Sequence, residues 1–161
     1  MNSGWISEEK YNLALTVLPL VSIDLIIKNP KNEYLLGYRN TPPANGAWFV
    51  LGGRIRKMEK FSEAFSRISK MELGQSLEIN NSKFLGIFEH MYHDSVASSD
   101  IGTHYVSIAL ETLIDKTDNL KIPIKQHDKY RWFKIEELLK DNQVHEKTKE
   151  FFDINLGIRQ Q

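Results

Sequence analysis

The residues best suited to chemistry lie between Gly53 and Gly74. A glycine pair follows a short apolar run, and after it come a loop with three cations and a segment of helical periodicity that presents Glu72 at the edge of its apolar face. A glycine lets a backbone carbonyl reach a ligand without a side chain in the way. Carbonyl and carboxylate oxygens are hard ligands, suited to Mg²⁺ that is also bound by substrate phosphates. The pattern therefore indicates a magnesium site shared with a phosphorylated substrate.

The spacing within this segment resembles the Nudix box. In that motif a glycine is followed at fixed intervals by a glutamate, an arginine, paired glutamates and a second glycine. The matching residues are Gly53, Glu59, Arg67, Glu72 and Gly74. The chain departs from the box at Ile68 and Met71, where the family has glutamates, and at Gln75, where it has an aliphatic residue. Ordinary members use those carboxylates to bind several metal ions and direct water at phosphorus, so we expect that reaction to be impaired here.

Nearly the whole chain is similar to the GDP-mannose mannosyl hydrolase branch of the Nudix family. The segments that carry the resemblance are 19–24, 35–39, 48–50, 52–54, 71–74, 103–105 and 126–132. The resemblance implies that water attacks the anomeric carbon of mannose, that GDP leaves, and that the configuration inverts. It also implies one Mg²⁺ per active site, bound to the diphosphate, and a homodimer, for which the apolar segment Tyr11–Leu20 is a plausible contact.

The same resemblance implies roles for individual residues. The metal ligands are the carbonyl of Gly52, Glu72 and Gln126, and the general base is His127. The residues that contact the diphosphate or the sugar are Asp24, Arg39, Arg54, His90 and Tyr105. The resemblance implies that the two arginines are catalytic as well. One local departure is Leu51, where this branch has a proline before the glycines.

The chemistry of these residue types agrees with substitution at carbon. GDP is a stable leaving group once its charge is neutralised, so a metal and arginines aid its departure electrostatically. Attack by water then needs one base of near-neutral pKa, which histidine provides. Gln126 beside His127 would place a neutral oxygen ligand and a base on one loop.

Several alternatives stay open at the level of sequence. Glu72 taken alone is typical of a solvated helix residue, and Glu59 with Arg67 favours an ion pair that braces the loop and helix. Asp24 is either a hydrogen-bonded structural acid or an acceptor for sugar hydroxyls. Five further residues could simply pack in the core: Trp48, Phe49, His90, Tyr105 and Trp132. An aromatic ring among them could instead stack on guanine. The competing functions are an ordinary Nudix pyrophosphohydrolase and a non-catalytic nucleotide-binding module.

The elements that must position these residues predict an α/β protein. Periodicity and breakers indicate strands at 20–27, 33–38, 48–51, 84–93, 103–113 and 130–133, and helices after Ser7, at 59–73, at 135–139 and at 144–152. The first two strands should form a hairpin, the third should end at Gly52-Gly53, and Gly74 should end the central helix. We therefore expect a Nudix-type α/β/α sandwich with a mixed sheet, as one domain over residues 1–161.

Composition excludes several classes of function. Lys plus Arg and Asp plus Glu number 21 each, so no net field directs the chain to nucleic acid or membrane. The absence of cysteine removes disulfides and thiolate chemistry. The apolar run Val17–Ile27 is interrupted and too short to span a bilayer, and the N-terminus lacks the pattern of a secretory signal. We expect a soluble cytoplasmic protein.

Overall fold

The predicted mixed α/β sandwich is confirmed. The computed structural model describes residues 6–97, 100–115, 120, 122–123 and 127–159. Its helices are α1 (Glu8–Val17), α2 (Phe61–Leu73), α3 (Ile135–Lys140) and α4 (Glu146–Glu150). Its strands are β1 (Leu20–Lys28), β2 (Glu33–Arg39), β3 (Trp48–Phe49), β4 (Leu51–Arg54), β5 (Ser82–Tyr92), β6 (Thr103–Leu113) and β7 (His127–Lys134). No helix in the described part of the chain is long and apolar enough to cross a membrane.

Strand β1 organises the sheet. It runs parallel to β6 on one side and antiparallel to β4 on the other, while β5 extends the sheet beyond β6. The predicted hairpin between β1 and β2 is confirmed only at its turn, where Lys28 pairs with Tyr34. Beyond that point β2 pairs with β3 and β7. The two strands diverge because β4 takes the place beside β1 that a long hairpin would have filled.

The prediction that a strand ends at Gly52-Gly53 is wrong. Both glycines lie within β4, opposite Asp24 and Ile23 of β1. A Cβ at Gly52 would overlap Asp24 Oδ1, and a Cβ at Gly53 would lie 3.3 Å from the side chain of Ile68. The glycines therefore serve close packing on both faces of the strand, which a reading of local turn propensity does not detect.

Each face of the sheet is covered by helices, which separates two apolar clusters. Helix α2 covers the face that carries Ile23, Leu25 and Leu51, and its own buried residues include Ala64, Phe65, Ile68 and Leu73. Helices α3 and α4 cover the other face. Burying each large aliphatic or aromatic side chain contributes about 1.5–3 kcal/mol, so α2 is firmly fixed.

The boundaries of α2 follow local signals. Gly74 ends the helix in the left-handed conformation with φ 78°, as predicted. The helix begins at Phe61, two residues later than predicted, where the Glu63 carboxylate accepts a hydrogen bond from the backbone N–H of Lys60 at 3.3 Å. Met71, expected on the apolar face, is 37% exposed. Its neighbour Glu72 takes the buried position at the end of that face.

Candidate active site

Glu72 and His127 come together at the end of α2. The Oε2 atom of Glu72 lies 3.9 Å from Nδ1 of His127, and both side chains are largely buried. His127 was expected on a loop, but it begins β7 and pairs with Arg39 of β2. Among the described residues neither ring nitrogen has a hydrogen-bond partner. The predicted carboxylate ligand and the predicted base thus share one site.

The surroundings of His127 keep its imidazole neutral. Burial lowers the pKa of His127 to about 4, the positive charge of Arg39 acts in the same direction, and Asp128 opposes them. The ring packs on Gly37, where a Cβ would lie 2.5 Å from His127 Cδ2. Sequence reasoning missed Gly37, although a glycine inside a strand is a signal of close approach. At neutral pH His127 is in the form that accepts a proton, but its pKa lies below the near-neutral value expected of the base.

Asp24 lies on the other face of the sheet, beside Gly52. Its Oδ2 accepts a hydrogen bond from the hydroxyl of Ser107, a partner that the sequence did not reveal. Burial raises the pKa of Asp24 to about 6, and both the Ser107 hydrogen bond and the charge of Arg39 oppose that rise. The structural alternative for Asp24 therefore has a specific partner, and the second carboxylate oxygen faces the space above Gly52.

Arg54 and Tyr105 flank β1 on the same face as Asp24. Arg54 pairs with Ser22 from β4, and Tyr105 pairs with Leu20 from β6. The Arg54 guanidinium lies 4.0 Å from the centre of the Tyr11 ring, and a hydrogen bond joins the hydroxyls of Tyr11 and Tyr105. Burial, followed by the interaction with Tyr11, raises the pKa of Tyr105. Sequence reasoning missed Tyr11, because nothing near it in the chain marks it as part of a site.

Arg39, at the end of β2, is close to site residues on both faces of the sheet. Its Nε donates to the carbonyl of Pro43 at 2.8 Å, and its guanidinium lies 5.9 Å from the Phe49 ring centre. The charge of Arg39 lowers the pKa values of both His127 and Asp24. Its positive charge therefore acts both on His127, beside Glu72, and on Asp24.

His90 lies in a buried aromatic group next to Tyr105, its cross-strand partner. Its ring centre is 5.2 Å from that of Phe151 and 6.3 Å from that of Tyr92. Burial lowers the pKa of His90 to about 3. The Glu150 carboxylate is 3.5 Å from His90 Nε2, but its other oxygen binds Lys147 at 2.7 Å, so burial decides the pKa of His90.

Tyr92, which sequence reasoning did not single out, contacts the ring of His90 and lies close enough to Asp24 to feel its charge. Burial and the nearby charge of Asp24 raise the pKa of Tyr92, while Arg39 opposes them. The predicted aromatic core is found at Trp48 and Phe49, which are 5% and 7% exposed. Phe49 also contacts the ring of His90 and therefore belongs to the same aromatic group.

Glu59 and Arg67 form the brace that the sequence suggested as an alternative. The Glu59 carboxylate accepts from Nε and Nη2 of Arg67 at 2.6 and 2.8 Å, and Arg67 also donates to the carbonyl of Arg54. Glu59 accepts in addition from the backbone N–H of Arg56. The pair fixes the loop after β4 to α2, and through it the position of Arg54.

The residues that replace box glutamates have structural roles. Ile68 is 1% exposed and packs on Gly53, and Met71 contacts Arg67 at the surface. In the described part of the chain no three His, Asp or Glu side chains group into a metal site of their own. Gln126, the remaining metal ligand that the resemblance implied, lies outside the described residues.

A family described as NUDIX domain matches residues 18–153, which include all seven strands and helices α2 to α4. This chain belongs to the Nudix family. A relative of this Nudix hydrolase is the low-salt glycan biosynthesis protein Agl8 of Haloferax volcanii, 36% identical over 128 residues, which cover 80% of this chain and 79% of the relative.

Solved structures of the family share the fold. A MutT protein from Methanosarcina mazei Go1 superposes with a TM-score of 0.67 at 21% identity, over 83% of this chain and 91% of its own. The NUDIX domain of Shewanella oneidensis NrtR, complexed with ADP ribose, superposes with a TM-score of 0.63 at 16% identity, over 91% of this chain and 97% of its own. These likenesses establish the Nudix fold of the chain.

Proposed function

We propose that this Nudix hydrolase converts a GDP-sugar, GDP-mannose or GDP-glucose, to GDP and free sugar by attack of water at the anomeric carbon with inversion. The observation that carries the proposal is the approach of His127 to Glu72 in a site where Ile68 and Met71 replace the box carboxylates. One neutral base and one carboxylate suit a reaction in which the metal binds the leaving group and does not activate the water.

His127 is the general base of the proposal. Its buried imidazole is neutral at pH 7 and takes a proton from the attacking water. The Glu72 carboxylate lies 3.9 Å from Nδ1 of the same ring, so the base and the proposed metal ligand are adjacent. Gly37 leaves the room in which the ring can take up that position.

The donor set at this site fits Mg²⁺. Glu72 supplies a buried carboxylate, and Mg²⁺ in nucleotide sites is held by one or two carboxylates together with substrate phosphates. The carbonyl of Gly52 and the side chain of Gln126 complete the proposed ligands. Bound there, Mg²⁺ would offset the negative charge of the departing diphosphate.

The remaining residues bind the two ends of the substrate. Arg39, Arg54 and Tyr105, all of them half-buried, present two positive charges and a phenol to the diphosphate. Asp24 and His90 face the sugar hydroxyls, since both are buried polar groups near the aromatic wall. The Haloferax relative is a low-salt glycan biosynthesis protein, which supports a nucleotide-sugar substrate.

A homodimer is also part of the proposal. Helix α1 leaves apolar side chains on the surface, with Leu13 63%, Val17 62% and Leu18 60% exposed. A second copy of the chain is the occupant that the family resemblance implies for this surface. Sedimentation of the wild type against Leu13→Asp tests this, with a shift from dimer to monomer expected in the variant.

Product analysis across a panel of nucleotide sugars with Mg²⁺ tests the reaction. We expect GDP and free sugar from a GDP-sugar. GMP or sugar phosphate would indicate an ordinary Nudix pyrophosphohydrolase, because those products require cleavage between the phosphorus atoms. Tight GDP binding without turnover would indicate a binding module.

A further inference from the structure

Tyr11 of α1 touches two residues of the candidate active site. Its ring lies beneath the Arg54 guanidinium, 4.0 Å from centre to carbon, and its hydroxyl is hydrogen-bonded to that of Tyr105. A cation over an aromatic face is attracted by the ring quadrupole, and this attraction also limits how the guanidinium plane can tilt. Tyr11 therefore restrains both partners at once.

The positions of the two partners explain why a linker is needed. Arg54 lies on β4 and Tyr105 on β6, and these strands pair with β1 from opposite sides. The width of β1 thus separates the two backbones, at the register of Ser22 and Leu20. Tyr11 contacts both Arg54 and Tyr105 across β1, so a single side chain links the cation to the phenol.

Helix α1 has few other attachments to the body of the protein. Leu15 is the buried residue of the helix, and it is 8% exposed. Leu13 and Val17 are more than 60% exposed. The contacts of Tyr11 with Arg54 and Tyr105 therefore contribute a large share of what fixes α1 on the sheet.

We propose that Tyr11 is a positioning residue, which orients Arg54 and Tyr105 for the substrate diphosphate and makes α1 part of the active site. This inference rests on the proposed function. Without Tyr11 both side chains would have to be ordered when substrate binds, which costs conformational entropy. The interactions of Arg54 and Tyr105 with the diphosphate strengthen as negative charge develops on GDP. Losing their orientation should therefore lower kcat more than it raises KM.

Two substitutions separate the contacts of Tyr11. Tyr11→Phe keeps the ring under Arg54 and removes the hydrogen bond to Tyr105, and kcat should fall about threefold to tenfold. Tyr11→Leu removes both contacts, and kcat should fall by a further factor of about three. Lys10→Gln, at an exposed position in the first turn of the same helix, is the matched control and should leave kcat unchanged.

A double-mutant cycle distinguishes positioning from a general loss of stability. If Tyr11 acts through Tyr105, Tyr11→Phe should lower kcat in the wild type and have no further effect in Tyr105→Phe. The same comparison with Tyr11→Leu in Arg54→Gln isolates the cationic contact. A Tyr11→Phe effect of equal size in both backgrounds, or wild-type kcat in Tyr11→Leu, would overturn the inference.

Hydrogen exchange tests the contact without substrate. In Tyr11→Leu the amides of α1 should exchange about tenfold faster, a change also expected in Arg54→Gln but absent in Lys10→Gln. Unchanged exchange in Tyr11→Leu would overturn the anchoring role whatever the substrate is. A wild type that hydrolyses no GDP-sugar, yet shows the altered exchange in the variant, would overturn the proposed function and with it the role in diphosphate binding, and would leave the anchoring contact standing.

Discussion

The Nδ1 atom of His127 lies 3.9 Å from Oε2 of Glu72, which joins the start of β7 to the last turn of α2. The two residues are far apart in the sequence, and each reaches the site for a separate reason. Glu72 follows the apolar face of α2, and His127 sits where Gly37 leaves space. The pair places a carboxylate and a neutral imidazole within one buried region.

The first prediction concerns metal binding. Glu72→Gln removes the charge of the proposed ligand while keeping its shape, so turnover should fall by about 10²-fold or more and the Mg²⁺ concentration for half-maximal activity should rise. EDTA should abolish the activity of the wild type. Glu78→Gln, at an exposed position just beyond the helix, is the charge-matched control. Equal activity in Glu72→Gln and the control would contradict the assignment of Glu72.

The second prediction concerns the base. His127→Gln should lower kcat by about 10²–10⁴-fold, the usual contribution of general base catalysis, with little change in substrate affinity. His93→Gln changes an exposed histidine and should be neutral. Single-turnover rates together with GDP binding would check both expectations. Weaker GDP binding with an unchanged rate constant would show that His127 binds substrate and does not accept the proton.

The third prediction concerns the leaving group. Arg39→Gln and Arg54→Gln should each lower kcat by about 10–100-fold and raise KM less, because negative charge on GDP grows as the bond breaks. Arg131→Gln, which alters a half-exposed arginine in an ion pair with Glu137, is the control. A rise in KM alone would assign both arginines to ground-state binding.

The sequence predicted elements whose determinants are local. The period of α2 and the cap at Gly74 depend on neighbouring residues, and both are found. Gly52-Gly53 was misplaced because its reason is Asp24 on a different strand, and Tyr11 was missed because its partners are Arg54 and Tyr105. Pairings of this kind depend on tertiary structure, which periodicity does not encode.

The fourth prediction concerns stability at acid pH. The pKa of buried His90 is lowered to about 3, whereas in the unfolded chain it is near 6.5, so the unfolded state binds a proton first as the pH falls. His90 therefore imposes no penalty above pH 6.5 and progressively destabilises the fold between about 6.5 and 3. Its share of the slope is at most ~1.4 kcal/mol per pH unit.

Urea unfolding of His90→Gln checks this expectation. The variant should lose part of the decline in unfolding free energy between pH 6 and pH 4, whatever its stability at pH 7. His93→Gln should keep the slope of the wild type, since that side chain is exposed. Parallel slopes in wild type and His90→Gln would show that His90 is not the titrating group.

The last prediction concerns which bond breaks. Ile68 is buried against Gly53 and Met71 lies at the surface, so neither position offers an oxygen for directing water at phosphorus. With His127 as the proposed base, one displacement at the anomeric carbon should place ¹⁸O from labelled water in the free sugar and none in GDP. Proton NMR at early times should show the β-anomer from an α-linked substrate, because a single displacement inverts the centre. Retention would require a carboxylate nucleophile, and ¹⁸O in the nucleotide would require attack at phosphorus, so either result would contradict the proposed reaction.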